Sequence, residues 1–315
     1  MRIWALPDNS GPDPHGGEED VIDRKTLFLL ALLALGAGIL ASIPGSRLQE
    51  PALLTGTSRL ASLAPCLTST LVALGGKDRL ALISDYCPPV GEVPRGGTAL
   101  SPDLERVMRS GANVVLARAA AGVPVDAIRR VGTPVVLPWS SVAEMCESVL
   151  LLGELSGCQN AAKNLVHDLQ SGLAPRNDDS GPRVLLVIGG PIDRSGGPWV
   201  IREDSLHGQT LKAAGYRHAF QQPLRGAPQL SVETLIELDP DVIVHLIPEE
   251  ADGDSRRLVR ESYSGIPGLR AWKENRIGVI HDPWILDEGP GLLALVDQLR
   301  LEISDLSESA GKAKR

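Results

Sequence analysis

The sequence predicts an α/β protein: two Rossmann-like lobes with parallel sheets, joined by one long backbone helix and preceded by an N-terminal hydrophobic helix. Three observations predict it. Short branched apolar runs alternate with helical stretches in two successive sets, the pattern of parallel βα units. A long segment of helical period separates the sets. One device also occurs twice, in "SPDLERVMRSGANVVLA" (101–117) and "LSVETLIELDPDVIVHL" (230–246). In each, a capping residue (Asp103, Ser231) stands two places before a glutamate (Glu105, Glu233), followed by a helical stretch, a polar turn and an apolar run.

The chain opens with a leader, 1–25, rich in Pro, Gly and acids and without periodicity, which reads as disordered. Residues 26–43, "TLFLLALLALGAGILASI", carry no charge. As a helix they reach about 27 Å, just short of the roughly 30 Å bilayer core, so the segment reads as a signal peptide or a membrane anchor. Arg24 and Lys25 precede it, and such positive flanks stay cytoplasmic, which places the rest of the chain outside the cytoplasm. A start at Val21 would turn this region into a short, ordinary signal sequence.

The N-terminal lobe, 57–140, holds expected strands at 59–64, 79–84, 113–117 and 134–138. A connecting helical segment, 141–176, follows, with one weak point at Ser156-Gly157. The C-terminal lobe, 182–304, holds expected strands at 183–189, 241–247 and 277–281, and 305–315 reads as a disordered tail. At 315 residues there is room for two domains of roughly 100–200 each. The formal charge of −8 excludes a nucleic-acid partner, whose phosphates demand basic patches. Aromatics make up 3%, so a pocket has little stacking surface to draw on.

Enzyme chemistry finds no support. There is no nucleophile motif and no acid/base pair with a rationale, and "GGPIDRSGG" lacks both the phosphate-loop Lys-Ser/Thr and the dinucleotide spacing. His207, His218, His245 and His281 are scattered, without the paired spacing of a metal site, and no cofactor is expected.

Ligands of parallel α/β lobes sit beyond the carboxyl ends of the strands. Tyr86, Arg95, Trp139, Asp193, Arg194, Trp199, Trp284 and Asp287 fall there and are the candidate ligand-binding residues. Cys66 and Cys87 follow the first two strands and form a candidate disulfide that would stiffen the rim, with a free-thiol or soft-metal site as the alternative. Cys146 and Cys158 would lie about 18 Å apart on a continuous helix, too far to pair unless the chain folds back at Ser156-Gly157.

Several stretches taken together resemble a known family. They are "RLASLAPCLTSTLVALGGKDRLALISDYCPPV", "GGTALSPDLERVMRSGANVVLA", "SLHGQTLKAAGYRHAF", "PQLSVETLIELDPDVIV" and "ENRIGVIHDPWILDEGPGLL". Over about 57–302 the chain resembles the helical-backbone (class III) solute-binding proteins of ABC importers for cobalamin, ferric siderophores and haem. The resemblance implies a small-molecule ligand, a metal chelate or corrinoid, held between the lobes. It also implies that Glu105 and Glu233 dock onto arginines of the permease subunits. The chain departs from the pattern at Ala99 and Ala227, where cobalamin binders carry aromatics, and at Asp287, where an arginine is common. Those departures keep a second reading open, a membrane-tethered binding or interaction domain without a transport role.

Overall fold

The computed structural model describes residues 58–120, 122–176, 181–192, 196–222, 226–251 and 253–313. The leader, the apolar segment 26–43, Val21, Asp193 and Arg194 lie outside the described residues. Among the described residues no helix is long and apolar enough to cross a membrane.

The first lobe is built on β1 (Leu60–Ser62), β2 (Leu80–Ile83), β3 (Val114–Arg118) and β4 (Thr133–Leu137), paired in the order β2-β1-β3-β4. The second uses β5 (Arg183–Ile188), β6 (Arg217–His218), β7 (Val242–Ile247) and β8 (Ile277–His281), in the order β6-β5-β7-β8. Every pairing in both sheets is parallel, so the two lobes are topological copies. Near-continuous apolar runs such as Val242–Ile247, buried at every position, are what strands covered on both faces require. The two-residue β6 carries no apolar run, which is why no strand is expected there from the sequence.

Helix α1 (Pro65–Ala73) follows β1, with a proline at its first position, where no amide partner is lost. Helix α2 (Leu104–Arg109) joins β2 to β3, and α3 (Val125–Ile128) joins β3 to β4. In the second lobe α6 (Leu206–Ala214) joins β5 to β6, and α7 (Val232–Leu238) joins β6 to β7. The short α8 (Ser255–Ser262) and α9 (Arg270–Lys273) lie between β7 and β8. Helix α2 starts where Asp103 Oδ1 accepts the Arg106 amide at 3.0 Å, and α7 where Ser231 Oγ accepts the Thr234 amide at 3.1 Å. Each cap satisfies an amide that has no partner inside its helix.

The connecting segment is two helices, α4 (Val142–Ser156) and α5 (Gln159–Gly172), in place of the single long backbone helix. Gly157, at φ 77°, closes α4 in the left-handed conformation and turns the chain back. The helices then press together at Gly153, where an added Cβ would meet the Ala162 Cβ at 2.4 Å. Helix α4 packs on α1 and belongs to the first lobe, so the rod between lobes is α5 alone, 14 residues and about 21 Å long.

The last helix, α10 (Leu292–Ala313), corrects the expected tail: it continues through 305–313. Its buried stripe Leu295, Leu299, Ile303 and Leu306 runs past residue 304, so the helix keeps an apolar face to bury. One continuous apolar cluster includes Leu116, Leu137 and Trp139 of the first lobe with Val184, Val244 and Leu295 of the second. The lobes therefore share a core as well as a covalent connector.

Candidate functional site

After β8 the chain runs through 282–291 before entering α10, and this segment lies between the lobes. Its residues alternate between two cavities. Ile285 and Asp287 line the first, of about 390 Å³, whose far wall is Ser69 and Val72 of α1 with Pro88 and Pro89 beyond β2. Leu286 and Glu288 line the second, of about 300 Å³, together with Ile201, His207 and Ala227. Both volumes fall at the small end of the roughly 300–1,000 Å³ usual for ligand sites.

Glu288 ties the lobes together. Its carboxylate forms an ion pair with Arg118, at the carboxyl end of β3, and lies 3.7 Å from Nδ1 of His207. Trp139 Nε1 donates to the Glu288 carbonyl at 2.8 Å, and Arg118 Nη2 donates to the Trp139 carbonyl at 3.1 Å. His207 Nε2 stands 2.9 Å from the Ile285 carbonyl. Burial would push the Glu288 carboxyl up, but the His207 hydrogen bond and the Arg118 charge outweigh it and hold the group below the usual carboxylate range. Asp287 goes the other way. Burial, reinforced by the neighbouring Glu288, raises it, and the Ser69 hydroxyl only partly offsets the rise. Adjacent carboxyls thus differ because Glu288 pairs with Arg118 and accepts from His207, whereas Asp287 feels His207 too weakly to offset its burial.

The candidate residues separate into three groups. Trp284 (42% exposed) and Asp287 share the first cavity. Tyr86 (70% exposed) and Trp199 (51% exposed) stand open at the carboxyl ends of β2 and β5. Arg95 braces the rim, since its Nη1 donates to the carbonyls of Ser84 at 2.9 Å and Asp85 at 2.8 Å. Trp139 is corrected from cleft edge to core: it is 1% exposed and its indole is spent on the Glu288 carbonyl. The residues that sequence reasoning missed are Arg118, His207 and Glu288. One signal for Arg118 existed, a lone arginine closing the apolar run "VVLA" at a strand's carboxyl end.

The Cys66–Cys87 disulfide is also corrected, because both thiols are free and buried. Thr68 Oγ1 donates to Cys87 Sγ at 3.1 Å, beneath the strand end. Cys66 lies within the electrostatic influence of Arg118, Asp287 and Glu288, on the side facing the other lobe. Burial raises both thiols above the ordinary cysteine value, Cys66 strongly, which disfavours the nucleophilic thiolate. Cys146 and Cys158 are free too. Among the described residues no group of three or more His, Cys, Asp or Glu stands ready to hold a metal ion.

Glu105 and Glu233 are both exposed in the first turns of their helices. They differ in engagement. Arg109 Nη2 pairs with Glu105 Oε1 at 3.0 Å on the same helix. Glu233 is held below the usual carboxylate range by a hydrogen bond from its own amide and by the Ser231 hydroxyl, with no arginine partner in the described ion pairs.

Twin parallel α/β lobes on one helical connector, with cavities between them, have the architecture of a two-lobed binding protein. The chain belongs to the periplasmic binding protein family, whose pattern matches residues 60–283. It is a binding protein and not an enzyme. The uncharacterized ABC transporter substrate-binding lipoprotein YvrC of Bacillus subtilis (strain 168) is 24% identical over 257 residues, covering 76% of this chain and 78% of its own length. A cobalamin-binding protein of Halobacterium salinarum is 26% identical over 202 residues, 59% of this chain and 53% of its own length. Among solved structures, the haem-bound periplasmic haem-binding protein BhuT superposes with a TM-score of 0.64 at 21% identity, covering 79% of this chain and 98% of its own. The vitamin B12-binding protein BtuF of Vibrio cholerae gives 0.60 at 18% identity, covering 80% and 98%. At such identities these structures speak for the fold.

Proposed function

We propose that this chain is the extracytoplasmic solute-binding protein of an ABC importer. It takes a metal chelate or cobalamin-like ligand between its lobes and docks on the permease subunits through Glu105 and Glu233. The observation that carries the reading is topological. Helix α2 connects β2 to β3 and α7 connects β6 to β7, equivalent places in the two copies of the same sheet order. In parallel βα units a helix starts at the rim where ligands bind, so each lobe presents one exposed carboxylate there. Two separated negative charges orient the body on a positively charged partner and speed encounter. Relatives that bind haem, vitamin B12 and cobalamin support the ligand class. Residues 26–43 serve in this reading as the export signal or membrane anchor. In this reading Tyr86 and Trp199 contribute to the cleft mouth, and Asp193 and Arg194 are kept as ligand-binding candidates on the sequence alone.

A second reading, a tethered binding domain without a transport role, draws on Ala99 and Ala227. Ala227 lines the second cavity, where a flat ligand would want an aromatic side chain. Uptake by cells carrying the E105A/E233A double variant tests both. The importer reading expects uptake to be lost while the purified protein keeps its ligand affinity; uptake that persists in the double variant refutes docking through these residues. Native mass spectrometry of protein purified from its parent cell identifies the retained cargo.

A further inference from the structure

The first cavity has a chemical character that its size alone does not give. Two carboxylates line it, Asp282 and Asp287, and among the described residues that line it none is basic. The Asp282 Oδ1 is engaged by the Trp284 amide at 2.6 Å. Asp287 is only half satisfied: its carboxyl meets the Ser69 hydroxyl and the Gly289 amide, while Oδ1, shielded from solvent, accepts no hydrogen bond among the described residues. An acceptor buried in this state destabilises the unliganded site, and a turn of the carboxyl that brings it against a donor carried by the ligand removes that penalty on binding. Apart from Ser69 and the neutral amide of Gln298 the remaining wall is apolar, and the half-exposed indole of Trp284 adds a surface that attracts cations. The nearby arginines do not reverse this charge balance, since Arg95 is committed to the Ser84 and Asp85 carbonyls and Arg118 to Glu288.

We propose that this cavity is a selectivity subsite that receives a nitrogen-donor arm of the cargo, an amine or a primary amide on an apolar stem, and turns away carboxylate arms. The inference rests on the binding-protein reading and narrows it. Among metal chelates and corrinoids, those edged with amine or amide groups fit, and those edged with carboxylates bring a negative charge against Asp287 and Asp282, with no basic side chain among the described residues lining the cavity.

The test uses one compact apolar body bearing three head groups: 1-adamantylamine, 1-adamantanecarboxamide and 1-adamantanecarboxylate, each titrated calorimetrically against the purified protein at neutral pH. The expected order is amine, then amide, then carboxylate, with about tenfold or more between the first and last. Asp287→Asn supplies a donor where an acceptor stood and narrows that ratio to about threefold or less. Ala73→Phe, which fills the cavity from the exposed face of α1 without touching Asp287, abolishes binding of all three. Equal affinities for amine and carboxylate, an order unchanged in Asp287→Asn, or no binding by any of the three overturns the inference. Retention of a chelate or corrinoid by native mass spectrometry reports separately on the binding-protein reading, so the two failures are told apart.

Discussion

Arg118 at the end of β3 and Glu288 beyond β8 form an ion pair that joins the two lobes across 170 residues of sequence. Trp139 completes the junction by accepting from Arg118 and donating to the Glu288 backbone. Removing one partner strands the other charge in a partly dry interface, while both side chains retain some exposure, so the loss is smaller than for a fully buried pair. Arg118→Gln and Glu288→Gln should each lower unfolding free energy by about 1–3 kcal/mol in urea titrations. The double variant should cost less than the sum, and strict additivity would show that the pair is not coupled.

The buried histidines set an acid limit. His218 and His245 are both pulled down to about 4 from 6.5, chiefly by burial. The unfolded chain therefore binds more protons than the folded one between these values. Stability is full above about pH 6.5 and falls as pH drops towards 4, by up to roughly 3 kcal/mol for each residue. His218 Nδ1 accepts the Phe220 amide at 3.1 Å, a role that an asparagine oxygen can fill. Melting of His218→Asn across pH 4–7 should show a shallower acid loss than the unaltered protein; an unchanged slope would argue against a neutral buried His218.

Asp287 works with the opposite sign. Its carboxyl is raised, so the folded state holds the proton more tightly and stability falls as pH rises from 3.8 through the raised value. At neutral pH the ligand-free Asp287→Asn variant should be more stable by about 1 kcal/mol, read as a higher melting temperature. The gain should vanish towards pH 4. A variant less stable at pH 7 contradicts this account.

The helical hairpin depends on two glycines. Gly157 sits at φ 77°, where a side chain is strained, so Gly157→Ala should cost about 1 kcal/mol. Gly153→Ala drives a methyl into the Ala162 Cβ and should cost about 1–3 kcal/mol by denaturant unfolding. Gly75, with open space around its added Cβ, is the control for a left-handed glycine without a packing neighbour.

Docking is expected to be unequal. On the docking proposal Glu105 would give up Arg109 to meet a permease arginine, whereas among the described residues Glu233 has no ion-pair partner to surrender. Glu233→Ala should reduce uptake about tenfold and Glu105→Ala about threefold at limiting protein concentration. The reverse ranking would show that the Arg109 pair does not compete with docking.

The sequence carried most of the lobes because parallel strands covered on both faces are dense runs of Val, Ile and Leu. The runs around Val114, Val184 and Val242 were legible for that reason. Residues 217–218 were not, since a two-residue edge strand is fixed by its neighbour β5 and has no pattern of its own. The weak point at Ser156-Gly157 was visible, but its outcome depended on Gly153 meeting Ala162, a contact that spacing alone does not disclose. At the site, Trp284 and Asp287 were legible as strand-end residues. Trp139 was misplaced because a strand-end indole can face ligand or core, and only the Glu288 carbonyl decides which. Arg118, His207 and Glu288 converge from three distant stretches, and nothing local marks that convergence.

Among the described residues, the chain passes from one half to the other only once, along α5. A cut in the stretch 174–182 would thus yield two fragments, each retaining a complete sheet. Their reunion would depend on the Arg118–Glu288 clasp and the shared apolar seam. Co-expressed as separate pieces, the halves should find each other without a covalent tether, making the protein a natural split reporter for the strength of its own midline.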